Sequence, residues 1–127
     1  MKGFALASVP QRIWDLPAAS GQFHRGADYN VAAWVRVENY QGELLLLIQH
    51  EDDNGRHRAV VDRAHLRQGE TSLLMSGLVN LRFTGQVREV KVLLAGEGEQ
   101  LAYRVDELFV QRSDDRAGPQ HKLISNY

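Results

Sequence analysis

The residues best equipped for chemistry centre on Trp34, with Asn30 and Arg36 beside it in the stretch from Tyr29 to Val37. Tyr29, Val31, Ala33, Val35 and Val37 alternate with Asn30, Ala32, Trp34 and Arg36. A period of two sends these sets to opposite faces of an extended backbone. The apolar set gives a strand a core to sit on. The other set holds an indole among hydrogen-bonding groups, a combination that suits a sugar's flat C–H face and its surrounding hydroxyls. An indole covered by a loop or by a second molecule would leave the same pattern in sequence.

Other reactive types are less well arranged. The histidines are His24, His50, His57, His65 and His121. His50 and His57 enclose Glu51, Asp52 and Asp53, residue types that bind metals. Their spacing matches neither H-E-x-x-H nor the H-x-H with a later Glu of a metal cupin, so the segment reads as a solvated, charged turn, with a jelly-roll enzyme carrying a metal at His50 and His57 as the alternative. Glycosidic cleavage would need two acids about 5 to 9.5 Å apart across a bond. The acids here cluster at Glu51–Asp53 and Glu97–Glu99. Ser20, Ser72 and Ser76 lack a nucleophile elbow, and Gly96-Glu97-Gly98 lies between two strands without the helix that a phosphate loop requires. The pattern does not read as an enzyme.

The chain has 127 residues, room for one domain with a real core. It is 43% hydrophobic and 24% charged, with a net charge of −1 and no block of like charge. An electrostatic footprint for nucleic acid or for an anionic membrane surface is missing. With no cysteine there is neither a disulfide nor a thiolate. No run reaches the roughly 18 apolar residues of a membrane span. The opening, Met1 to Pro10, has one Lys and a short, broken apolar run, a weak signal-peptide pattern that leaves the compartment open.

Positioning falls to short strands. Phe4–Val9 reads as a first strand, Gln11–Leu16 as an edge strand or loop, and Arg25–Asp28 as the turn before the central strand. Leu44–Gln49 carries a continuous apolar run, as in a strand covered on both faces, with a buried helix as its rival. Asn54-Gly55 supplies a tight turn. Arg58–Asp62 is the next strand and Arg63–Gln68 a helical turn. Thr71–Met75 and Leu78–Phe83 follow as two strands, then Val87–Ala95 and a last strand at Leu101–Gln111. Tyr29, Phe83 and Phe109 read as core, with Trp14 and Tyr40 at loop or edge positions from which they could gate a groove. Residues 113–127 read as a polar tail, leaving 1–112 as a single domain. Seven to nine short strands without a long helix make an all-β jelly-roll sandwich of two antiparallel sheets.

In series these strands resemble the carbohydrate-binding modules of the family 4, 9 and 22 type, a galactose-binding-like jelly roll. The resemblance rests on Tyr29–Val37 and Leu44–Gln49, on the turn Asp53-Asn54-Gly55 and on Ala59-Val60-Val61. Met75-Ser76-Gly77, Val87–Gly96 and Tyr103–Val110 extend it, so that it covers about residues 28–111. The shortened opening segment departs from the family, as does Leu73 or Leu74 where a Trp is usual. The resemblance implies non-catalytic glycan binding, with a sugar stacked on Trp34 and held by Arg36 and Asn30. If strand order follows the family, Gln49, Glu89, Lys91 and Tyr103 share that face. It also implies a structural calcium at Asp106, and an extracellular or periplasmic setting. The rival expectation is a protein-interaction or structural jelly roll without a sugar site. Its open sheet edge or face would be covered by a second copy as a homodimer.

Overall fold

The alternation around Trp34 is realised in full. Tyr29, Val31, Ala33, Val35 and Val37 are each at most 1% exposed, whereas Asn30, Trp34 and Arg36 face solvent. In the computed structural model, which describes residues 2–14, 24–69, 71–97, 101–112 and 121–125, this stretch is the middle of a longer strand, β2 (His24–Glu38). The other strands are β1 (Lys2–Ser8), β3 (Gly42–Asp52), β4 (Gly55–Leu66), β5 (Ser72–Thr84), β6 (Glu89–Gly96), β7 (Ala102–Arg112) and β8 (His121–Ser125). One short helix, α1 (Gln11–Trp14), follows β1.

The first sheet has the order β1-β6-β3-β4 and the second β5-β2-β7-β8, all neighbours antiparallel. The protein is therefore an all-β sandwich of two antiparallel sheets, as the strand pattern predicts. Its pairs are nested: β3 with β4, β2 with β5, and β1 with β6. This is the wound-up double ribbon of a jelly roll. The fourth pair is β7 with β8, so the strand flanking β7 follows it in the chain.

The core lies between the sheets, where β2 meets Leu44, Leu46 and Ile48 of β3, Met75, Leu81 and Phe83 of β5, and Leu108 and Val110 of β7. The run at Leu44–Gln49 is covered on both faces, as its composition predicts. Leu47 joins Leu93 and Ala95 in a second, smaller cluster on the far side of the first sheet. Where β4 and β5, the edge strands of the two sheets, approach one another, Ser76 N–H donates to Asp62 Oδ2 at 3.0 Å. A Cβ on Gly77 would lie 2.1 Å from the Val61 carbonyl oxygen, so only glycine lets these edges close.

Several expected elements take another form. Arg25–Asp28 is not a turn, because β2 already pairs with β5 from His24 onward. Arg63–Gln68 is not helical, since β4 stays extended to Leu66 and turns only near Gly69, at φ 89°. The two strands expected within Thr71–Phe83 are the single strand β5, with Gly77 inside it rather than ending it. Gln11–Trp14 forms a helical turn, while Asp15 and Leu16 of that expected segment lie outside the described residues. Within the expected tail, His121–Ser125 pairs with β7, so the second sheet extends past residue 112. Residues 113–120, 126 and 127 of that tail lie outside the described residues.

Trp14 gates nothing: it is buried, donates its indole N–H to the Val9 carbonyl at 3.0 Å and meets Phe83 edge-on. Tyr40 is a pin between two turns. Its hydroxyl donates to the Glu43 carbonyl and accepts from Glu97 N–H. Tyr29 and Phe83 are core as expected, but Phe109 is half-buried on the outer face. The reason is a bulge: Trp34 pairs with Glu107 but Val35 with Val105, leaving Asp106 as an extra residue that flips the alternation beyond it.

Candidate functional site

The outer face of the second sheet is built by β5, β2 and β7 in register. Opposite Trp34 stand Leu74 on β5 and Glu107 on β7, and opposite Asn30 stand Leu78 and Gln111. Because β5 is the outermost strand on this side, its outward leucines have a neighbouring strand on one side only. Trp34 is 40% exposed and its partner Leu74 49%, while Leu78, 60% exposed, lies further along the same face of β5 beyond Ser76.

Charge sits at both ends of this apolar set. At one end the bulged Asp106, itself buried, takes Arg36 Nε at 2.6 Å from Oδ2 and Arg104 Nε at 2.9 Å from Oδ1. Both guanidiniums are more than half exposed. At the other end Asp28 accepts from the Asn80 side-chain amide at 2.7 Å. A shallow cleft of about 310 Å³ opens beside the arginines, lined by Arg36, Glu38, Ala102, Tyr103 and Arg104.

The residues expected to share one sugar-binding face do not assemble. Asn30, Trp34 and Arg36 lie together. Gln49, Glu89 and Lys91 belong to β3 and β6 of the other sheet. There Gln49 is buried and accepts from Arg58 Nε at 2.6 Å, while Lys91 lies 3.8 Å from Glu89. Tyr103 pairs with inward-facing Val37, packs on the core and tilts against Phe4, and also lines the cleft together with Arg36. The calcium expected at Asp106 does not fit its surroundings. Calcium needs six to eight oxygen donors, and both oxygens of this carboxylate already face guanidiniums, which repel a divalent cation.

His50 and His57 are also placed differently from expectation. They are cross-strand partners on β3 and β4, stacked with ring centroids 4.8 Å apart, and His50 is buried edge-on against Phe83. Asp52, two residues on and so on the same face as His50, is 2% exposed. The sequence held the signal: His-x-Asp in one strand, and a tight Asn54-Gly55 turn whose register brings His57 opposite His50. The intervening acids made it read as solvated.

Comparison with known proteins found no matching family model, no matching curated protein and no matching solved structure.

Proposed function

We propose that this jelly roll is a non-catalytic interaction domain whose second sheet pairs, face to face, with a second copy of the chain. The observation that carries the reading is the set of exposed apolar residues Trp34, Leu74 and Leu78 on one face, with Arg36 toward one end and Asp28 toward the other. Two sheets packed face to face lie about 10 Å apart with inner side chains interdigitated. A two-fold axis between them, over the row of Ala32 and Ser76, reverses strand direction. Leu74 of one copy then faces Leu78 of the other, and Arg36 faces Asp28. The leucines and the charged residues thus match across the axis, and Trp34 meets Asn30, whose amide can hydrogen-bond beside the indole; an isologous contact requires such a self-match. A sugar platform would want polar neighbours on both sides of the indole, and here its cross-strand partner on the β5 side is Leu74.

The test uses the register itself. Leu74→Asp and Leu78→Lys are each expected to run as single copies by light scattering, because each sets a charge against a leucine. Mixed, the two variants are expected to form a hetero-pair, with Asp facing Lys on one side and leucine facing leucine on the other. Variants that keep the parental mass, or a mixture that stays single-copy, would overturn the proposal. A glycan-array signal that disappears in Trp34→Ala, from a single-copy protein, would return the face to sugar stacking.

A further inference from the structure

One end of the sandwich, at the tip of the hairpin between β3 and β4, holds a group of side chains for which the interaction face has no use. Asp52 is anchored there by two backbone amides: Asn54 N–H donates to Oδ1 at 2.8 Å and Thr84 N–H to Oδ2 at 2.9 Å. His50 Nε2 lies 3.4 Å from Oδ2 and His57 Nε2 lies 3.4 Å from Oδ1. A charge-assisted hydrogen bond between such groups would close to about 2.7–2.9 Å. His50 is 6% exposed, and neither of its ring nitrogens makes a well-formed hydrogen bond among the described residues, although the Asp52 carboxylate and the Arg82 backbone lie near the ring. Buried polar nitrogens are seldom left in that state.

The spacing that fails as a hydrogen bond fits coordination. Two metal–ligand bonds of about 2.0–2.1 Å at the tetrahedral angle put their donor atoms roughly 3.3 Å apart. The three donor atoms all lie within 4.8 Å of one another. The side chain of His57 is 40% exposed, free to turn and close the remaining distance. We propose that His50 Nε2, Asp52 and His57 Nε2 form a three-ligand site for a first-row divalent ion of the zinc type, with a fourth position open to solvent.

The chemistry of the set supports that choice. Two imidazoles and one carboxylate suit zinc and its neighbours, and offer far too few oxygens for calcium. Burial lowers the pKa of His50, favouring the neutral ring whose lone pair a metal needs. Asp52 also titrates below its ordinary range: burial opposes this, but the Thr84 and Asn54 amides and the two imidazoles outweigh it. The frame is held independently of any ion. Asp53 N–H donates to the Thr84 carbonyl, Arg88 N–H to the Glu51 carbonyl and Gln86 N–H to Asp53 Oδ2. The nearby Arg88 guanidinium is engaged by Asp53 and by the Asp52 carbonyl.

Zinc titrated calorimetrically into the full chain, after dialysis against EDTA, tests the site. One zinc per chain is expected, together with a zinc-dependent rise in melting temperature. His57→Ala and His57→Gln should weaken binding by at least about 10-fold and leave the melting temperature in EDTA unchanged. His65→Ala, on the exposed far part of β4, should bind as the parent does. Substitution with cobalt should give the visible spectrum of a tetrahedral site in the parent and not in either His57 variant. No stoichiometric zinc binding, or equal binding by the His57 variants, would overturn the proposal.

Discussion

Replacing Asp52 with alanine isolates the anchor on which one end of the sandwich depends. The carboxylate is 2% exposed and takes one amide from its own hairpin and another from Thr84 at the end of β5. It therefore ties the first sheet to the second. A hydrogen bond to a charged group contributes about 1.5–3 kcal/mol. Both amides are part-buried, so water can replace the acceptor in some degree, and the lower end of that range applies. Two such bonds give a loss of about 3 kcal/mol for Asp52→Ala in EDTA, or roughly 10 °C in Tm for a chain of this size. Asp52→Asn retains one acceptor oxygen but turns its amide group toward the other donor, and should lose about half as much. Urea unfolding followed by circular dichroism, at constant m-value, provides the comparison. A loss below about 1 kcal/mol for Asp52→Ala, or a larger one for Asp52→Asn, would refute the reasoning.

Two further predictions concern the same framework. Gly77→Ala puts a methyl group against the Val61 carbonyl, and the edges of β4 and β5 must separate to admit it; urea unfolding should show a cost of about 1–3 kcal/mol. In EDTA, stability should be flat above pH 6.5 and fall as pH drops from there toward the lowered folded-state pKa of His50, because the unfolded chain binds that proton more readily. The groups facing His50 are Asp52, His57, Phe83 and the Arg82 backbone. A second loss should begin below pH 3.8 as Asp52 is protonated. His50→Gln should flatten the first limb alone, as read from urea midpoints across pH.

What could be read from the sequence was set by local pattern. Period-two alternation placed the inward residues Tyr29 to Val37 of β2, and the unbroken apolar run at Leu44–Gln49 announced a strand covered on both sides. Features set by distant partners were not legible in the same way. Gly77 looks like a strand end until the Val61 carbonyl is known to press on it. The residues at 121–125 carry little apolar patterning of their own, yet they pair with β7. A single bulge at Asp106 sends Phe109 outward, against the alternation that assigned it to the core. The expected site divided for the same reason. Gln49, Glu89 and Lys91 alternate as well as Asn30 and Arg36 do, but only long-range pairing decides which sheet a strand joins. His50, Asp52 and His57 needed both the strand period and the hairpin register to be seen together.

The central claim, a self-complementary outer face on the second sheet, is tested most directly by the molar mass of the purified parental chain. Light scattering across a range of micromolar concentrations, at moderate salt, is the measurement. The two-fold face predicts a mass approaching two chains, falling toward one on dilution and upon Leu78→Lys substitution. A mass of one chain at every concentration would contradict it.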